Sequence, residues 1–146
     1  SRAQLVREVI TPAIARGAVV LCDRFTDSTL AYQGFGRGLD LNLIRQLNLF
    51  TTGGLAPNLT ILLDLDPRIG LERCIRGSRP GLTSRDRLEA EPLSFHQRIR
   101  EGYLALAREE RERIRVMNAA MSMREIEAAV RDEVLRMKRS RSTVHG

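Results

Sequence analysis

Short apolar runs alternate along this chain with stretches of helical period. Over residues 2–15 the apolar positions Leu5, Val9, Ile10, Ala13 and Ile14 fall close to one helical face, with Pro12 expected to kink the helix and Gly17 to close it. Residues 18–22, Ala-Val-Val-Leu-Cys, predict a buried strand, because a strand covered on both faces reads as a continuous apolar run. Asp40 is placed to cap a helix reaching about Phe50, with Leu41, Ile44 and Leu47 on one side and Gly53-Gly54 as its stop. A second buried strand is predicted over residues 59–65. After it, Asp66-Pro67 supplies a cap and a first-position proline for another helix.

Residues 77–83 are rich in chain breakers and in arginine. Beyond them Phe95, Ile99, Tyr103 and Leu106 repeat at helical spacing, which predicts a long helix over about 88–112. Ile114–Asn118 reads as a short third strand. Ser122 with Glu125 makes a capping box for a last helix whose apolar face is Ile126, Val130, Val134 and Met137. Helices alternating with short apolar strands define an α/β fold with a parallel sheet flanked by helices. No internal repeat or linker divides the pattern, so a single domain is expected.

Composition narrows this picture. Of the 146 residues 42% are hydrophobic, enough for a buried core, and no apolar run approaches the length that crosses a bilayer. No segment reads as a secretory leader, so a cytoplasmic location is expected. Cys22 sits in a predicted strand and Cys74 in a predicted helix, without C-x-x-C spacing. Both are therefore expected to be buried, reduced thiols rather than a disulfide or a zinc site. The net charge is +6, and Lys138 is the only lysine among the basic residues. Arginine suits two-point contact with phosphate. Residues 138–146, with Lys138, Arg139 and Arg141 and no apolar period, are expected to form a disordered basic tail. An arginine-rich RNA-binding domain is an alternative from another class, but only 4% of residues are aromatic and no stacking platform is visible.

The chemistry concentrates where the first predicted strand ends. There an apolar run gives way to Asp23-Arg24-Phe25, then to Ser28-Thr29-Leu30-Ala31-Tyr32-Gln33-Gly34. In parallel sheets ligands collect beyond the carboxyl ends of the strands, and an Asp-Arg pair placed there can hold a phosphate and its metal. The dipeptide alone would be an ordinary solvated turn. The longer run over residues 23–40, DRFTDSTLAYQGFGRGLD, resembles the Asp-Arg-aromatic signature of bacterial thymidylate kinases. The likeness continues through Leu55-Ala56-Pro57-Asn58-Leu59-Thr60, Leu62-Leu63-Asp64, the arginine-rich segment and Tyr103-Leu104-Ala105-Leu106-Ala107.

This resemblance implies a P-loop NTPase fold of the nucleoside monophosphate kinase type. It also implies transfer of the γ-phosphoryl of ATP to dTMP, giving dTDP and ADP, with Mg²⁺. Such a kinase needs G-x-x-x-x-G-K-[ST] to hold the donor phosphates, and the motif does not occur in this sequence. Residues 1–137 are therefore expected to be the carboxyl-terminal part of a kinase domain, with the phosphate loop preceding Ser1. The chain by itself is expected to be inactive, and the full-length enzyme to be a homodimer.

The resemblance also assigns roles. Arg24 would bind the acceptor phosphate through two parallel hydrogen bonds, with Asp23 beside it acting on Mg²⁺ through water or orienting Arg24. Ser28, Thr29, Tyr32 and Gln33 would form the nucleoside pocket, Arg2 would reach the base from the preceding helix, and Phe25 would stack or form a wall. Tyr32 would pack against the sugar, where a 2′-hydroxyl finds no room; otherwise it is an ordinary core aromatic. Arg76, Arg79, Arg85 and Arg87 read alone as a solvated loop and in a kinase as a lid over about 76–88. Arg87 and Arg85 are then the catalytic candidates, and Arg76 and Arg79 ATP contacts. Arg73 would stack on or flank the adenine, and the backbone of Asn118-Ala119-Ala120 would line it. Asp64 and Asp66 are expected to cap the following helix, His96 to lie on the surface, and Gly34, Gly36 and Gly38 to lend flexibility to the acceptor loop. The nearer alternatives are a kinase of the same superfamily acting on another deoxynucleotide or nucleoside, or a non-catalytic remnant.

Overall fold

Pro12 shapes the first helical run. A proline has no N–H for the carbonyl four residues back, and its ring crowds that carbonyl. The chain widens there: α1 (Arg2–Leu5) passes into a π-helical segment, Val6–Ile10, and then into α2 (Thr11–Ala15). The Thr11 N–H donates to Val6 O, five residues back. The wider turn moves the buried face from the expected one. Val6 and Ile10 are buried, whereas Leu5, Val9 and Ile14 are exposed. Gly17, at φ +77°, closes the helix as its position predicts, its N–H bonding Ile14 O at 2.9 Å while Ala18 N–H bonds Ala13 O at 3.0 Å.

The structure, a computed structural model, describes residues 2–77 and 91–142. They fall into two compact units, residues 1–57 and residues 58–146.

In the first unit, residues 18–22 do not form the expected strand. They join no sheet, since the sheet of the described residues contains only β1 (Thr60–Asp64) and β2 (Ile114–Asn118). Val20 packs against Val6, Ile10 and Phe25 with Leu55, whereas Val19 is 66% and Leu21 91% exposed. An apolar run supplies strand propensity, but a ladder partner makes the strand. The Asp-Arg-Phe turn leads into α3 (Thr26–Thr29) and a second π-helical segment, Leu30–Gly36.

Helix α4 (Leu41–Thr52) packs against α1 and this second π segment. Asp40 caps it by accepting from Leu43 N–H at 2.8 Å, and Gly53, at φ +60°, ends it. Its buried stripe is Ile44, Asn48 and Thr52, not the Leu41–Ile44–Leu47 side that apolarity suggests; Leu47 is 53% exposed. Gly34 is buried against α4, where a Cβ would collide with the Leu41 side chain. Close packing thus accounts for Gly34, in place of the expected flexibility. Gly38 keeps a turn role, at φ +75°.

In the second unit β1 and β2 run parallel, in register from Thr60↔Ile114 to Asp64↔Asn118. The strand expected over 59–65 is thus one residue shorter at each end, and Ile114–Asn118 falls where the pattern placed it. Helix α5 (Pro67–Gly77) follows, with Asp66 Oδ1 accepting from Arg68 N–H at 2.8 Å. Helix α6 (Leu93–Glu109) is shorter than the expected 88–112 and takes Pro92 as its N-cap residue. Phe95, Ile99 and Leu106 are buried with Ile114 and Met117, while Tyr103 is only half-buried. Helix α7 (Met123–Ser142) starts with the capping box: Glu125 accepts from Ser122 N–H at 2.8 Å, and Ser122 Oγ accepts from Glu125 N–H at 3.3 Å. Its backbone is helical through Ser142, and residues 143–146 of the expected tail lie outside the described residues.

Neither cysteine is in a disulfide among the described residues, and both are exposed, which corrects their expected burial. His96 is half-buried, edge-on to Phe95 at 5.8 Å between ring centroids, with a buried and unpartnered Nε2. It is not the surface residue that its charged neighbours suggest.

Candidate active site

The Asp23-Arg24-Phe25 turn is held by an unusual backbone. Among the described residues Arg24 is the non-glycine with positive φ, at +59°. For an L-residue this conformation crowds Cβ against the carbonyl, and it concentrates at functional sites. The turn exposes Asp23 and Arg24 while Phe25 is buried. The Arg24 guanidinium lies over the Tyr32 ring at 5.3 Å from its centroid, a cation–π arrangement.

Arg2 reaches the same group. Its Nη2 donates to Thr29 Oγ1 at 2.6 Å and to Phe25 O at 3.5 Å, its Nη1 donates to Asn48 Oδ1 at 3.0 Å, and its guanidinium sits 5.7 Å from the Phe25 ring centroid. The structure therefore brings Arg2, Phe25 and Thr29 into one cluster and joins Arg24 to Tyr32. Ser28 and Gln33 are half-buried on the same run.

The second unit gathers a different set at the carboxyl ends of its two strands. Asp64 ends β1, and Arg100 of α6 binds it at both oxygens, Nε to Oδ1 at 2.7 Å and Nη2 to Oδ2 at 2.8 Å. The Arg100 hydrogen bonds hold the Asp64 carboxyl below the usual carboxylate range, and Asp64 in turn raises Arg100. Asp64 is thus an ion-pair partner, and of the two acids Asp66 caps the helix. The loop after β2 is tied to this end by Ala119 N–H to Asp64 O at 2.8 Å. It is shaped by Ala120 N–H to Asn118 Oδ1 at 2.9 Å, a side-chain turn. Arg73 Nη1 reaches Ala119 O at 3.3 Å, so Arg73 and the Asn118 loop do meet. Arg79, Arg85 and Arg87 lie outside the described residues, as does the side chain of Arg76.

Two residues of these clusters carried no functional signal in the sequence. Asn48 interrupts an apolar stripe at helical spacing from Ile44, which is the one trace it leaves. Arg100 is an arginine among many.

A parallel sheet flanked by helices, with basic and polar groups beyond its strand ends, is the α/β architecture of P-loop NTPases. Residues 1–130 match the family model "Thymidylate kinase". The chain is 55% identical over 130 residues to the thymidylate kinase of Deinococcus radiodurans, covering 89% of this chain and 61% of that protein. It is 56% identical over 121 residues to that of Desulfovibrio desulfuricans, covering 82% and 56%. It is also similar to the crystal structure of thymidylate kinase from Ehrlichia chaffeensis, with TM-score 0.59 and 29% identity, over 80% of this chain and 51% of that one. The chain belongs to the thymidylate kinase family. It spans about six-tenths of the length of these two bacterial relatives.

Proposed function

We propose that the protein containing this chain transfers the γ-phosphoryl group of ATP to dTMP, giving dTDP and ADP. The observation that carries this reading is the acceptor cluster: an exposed Arg24 cation laid over Tyr32, next to Arg2 held on Thr29 and Phe25. A guanidinium matches a phosphate through two parallel N–H donors, and Arg24 supplies that fork for the acceptor monophosphate. Arg2 offers N–H donors toward a pyrimidine carbonyl, Phe25 walls the pocket, and Tyr32 packs against the sugar. Ser28, Thr29 and Gln33 complete its polar lining.

Phosphoryl transfer asks the protein mainly to position phosphates and offset charge. Arg87, with Arg85, is proposed to do so from the lid, with Arg76 and Arg79 on ATP. Arg73 and the Asn118 loop are proposed to flank the adenine. Mg²⁺ would supply charge neutralisation on the phosphates. Among the described residues no three His, Cys, Asp or Glu side chains cluster as a metal cage. The exposed Asp23 carboxylate fits a metal held largely by phosphates and water. The homodimer and the cytoplasmic location expected from the sequence belong to the same proposal; no described helix is long and apolar enough to cross a membrane.

The test is a coupled assay of the complete gene product with ATP, Mg²⁺ and a panel of nucleoside monophosphates. Formation of dTDP, with dTMP preferred over dUMP, dCMP and UMP, is expected. Preference for another acceptor, or no ATP-dependent product, overturns the reading.

A further inference from the structure

Asn48 sits in the buried stripe of α4 at 7% exposure, where a leucine would bury more apolar surface. Its amide is used at both ends. Oδ1 accepts from Arg2 Nη1 at 3.0 Å, and Nδ2 donates to Thr26 O at 3.3 Å, at the start of α3. Arginine can only donate and a carbonyl can only accept, so one orientation of the amide satisfies both neighbours. An asparagine thus links α1, α3 and α4 at the point where Arg2 turns toward Thr29.

We propose that Asn48 is a positioning residue for the acceptor nucleotide: it orders the Arg2 guanidinium before ligand arrives and so sets the affinity for dTMP. The proposal rests on the acceptor-pocket reading given above. A free arginine side chain loses much rotamer freedom when it is ordered on a ligand, and this loss is subtracted from binding. With Nη1 on Asn48 and Nη2 on Thr29, much of that ordering is done in the free protein. Replacing Asn48 leaves Thr26 O its backbone partner, Leu30 N–H, and leaves Arg2 half-buried rather than sealed. The change therefore leaves Thr26 O paired.

The experiment is a double-mutant cycle on the complete protein, reading dTMP and ATP binding by calorimetry beside turnover. Asn48→Leu should weaken dTMP binding by about tenfold, the size of one charge-assisted hydrogen bond, with ATP binding changed by less than about twofold. Asn48→Asp keeps an acceptor for Arg2 and should stay within about threefold of wild type. In an Arg2→Ala background the further effect of Asn48→Leu should fall below about twofold, because its target is gone. Should Asn48→Leu fail to fold, Asn48→Ser, whose hydroxyl is too short to reach Arg2, takes its place in the cycle. Unchanged dTMP affinity in the variant, or the same loss with and without Arg2, overturns the proposal. A wild type that binds dTMP without phosphorylating it overturns the kinase reading alone. One that binds no dTMP overturns both.

Discussion

Asp64 and Arg100, 36 residues apart, form a two-point ion pair that fastens the end of β1 to α6. Its effect on stability has a defined sign with pH. The folded-state pKa of Asp64 lies below the ordinary 3.8, so the pair's contribution is complete above the unfolded value and is lost as pH falls through the lowered one. Asp64→Asn should reduce the stability of the complete protein by about 1 kcal/mol at pH 7, the upper end for a partly exposed pair of good geometry. The gap between variant and wild-type urea midpoints should narrow on acidification below 3.8. A gap that stays constant or widens toward acid would remove the pair as its source.

The left-handed backbone at Arg24 makes a prediction that runs against the usual order of residues. Glycine adopts φ near +59° without a Cβ penalty, and alanine does not. Arg24→Gly should therefore be more stable than Arg24→Ala by about 1 kcal/mol, although both lose the contact with Tyr32. Thermal or urea unfolding of the two variants decides it, and an alanine variant as stable as the glycine variant argues against the strained turn. Both should lose turnover.

Arg24→Lys separates charge from geometry. A lysine keeps the cation but lacks the planar fork, so kcat/KM for dTMP should fall about 10- to 100-fold, in line with one charge-assisted hydrogen bond of roughly 1.5–3 kcal/mol. The melting temperature should stay close to that of wild type. Unchanged kcat/KM takes Arg24 out of the acceptor site.

The arginines of the proposed lid should divide by role. An arginine that meets the phosphoryl group as charge shifts contributes to the transition state more than to the ground state. Arg87→Ala is expected to lower kcat by about 10³–10⁵ with little change in nucleotide affinity. Arg76→Ala and Arg79→Ala should instead raise the KM for ATP modestly, and Arg85→Ala should resemble whichever role it shares. Near-normal kcat in all four makes the segment a solvated loop.

The sequence by itself determined the helix boundaries set by local chemistry: the Asp40, Asp66 and Ser122–Glu125 caps and the Gly17 and Gly53 stops all stand where their residues predict. It determined Ile114–Asn118 as a strand, and the Asp23-Arg24-Phe25 run as the part of the proposed acceptor site that a motif can carry. These rest on interactions reaching four or five residues, and a linear pattern records them. Tertiary structure decided the rest. It withheld a ladder from residues 18–22, turned Asn48 rather than Leu47 into the buried stripe of α4, and paired Asp64 with Arg100. Hydrophobic attraction has no direction, and 23 arginines offer many partners to each acid. Only the packing of one element on another selects which pair forms and which face is buried.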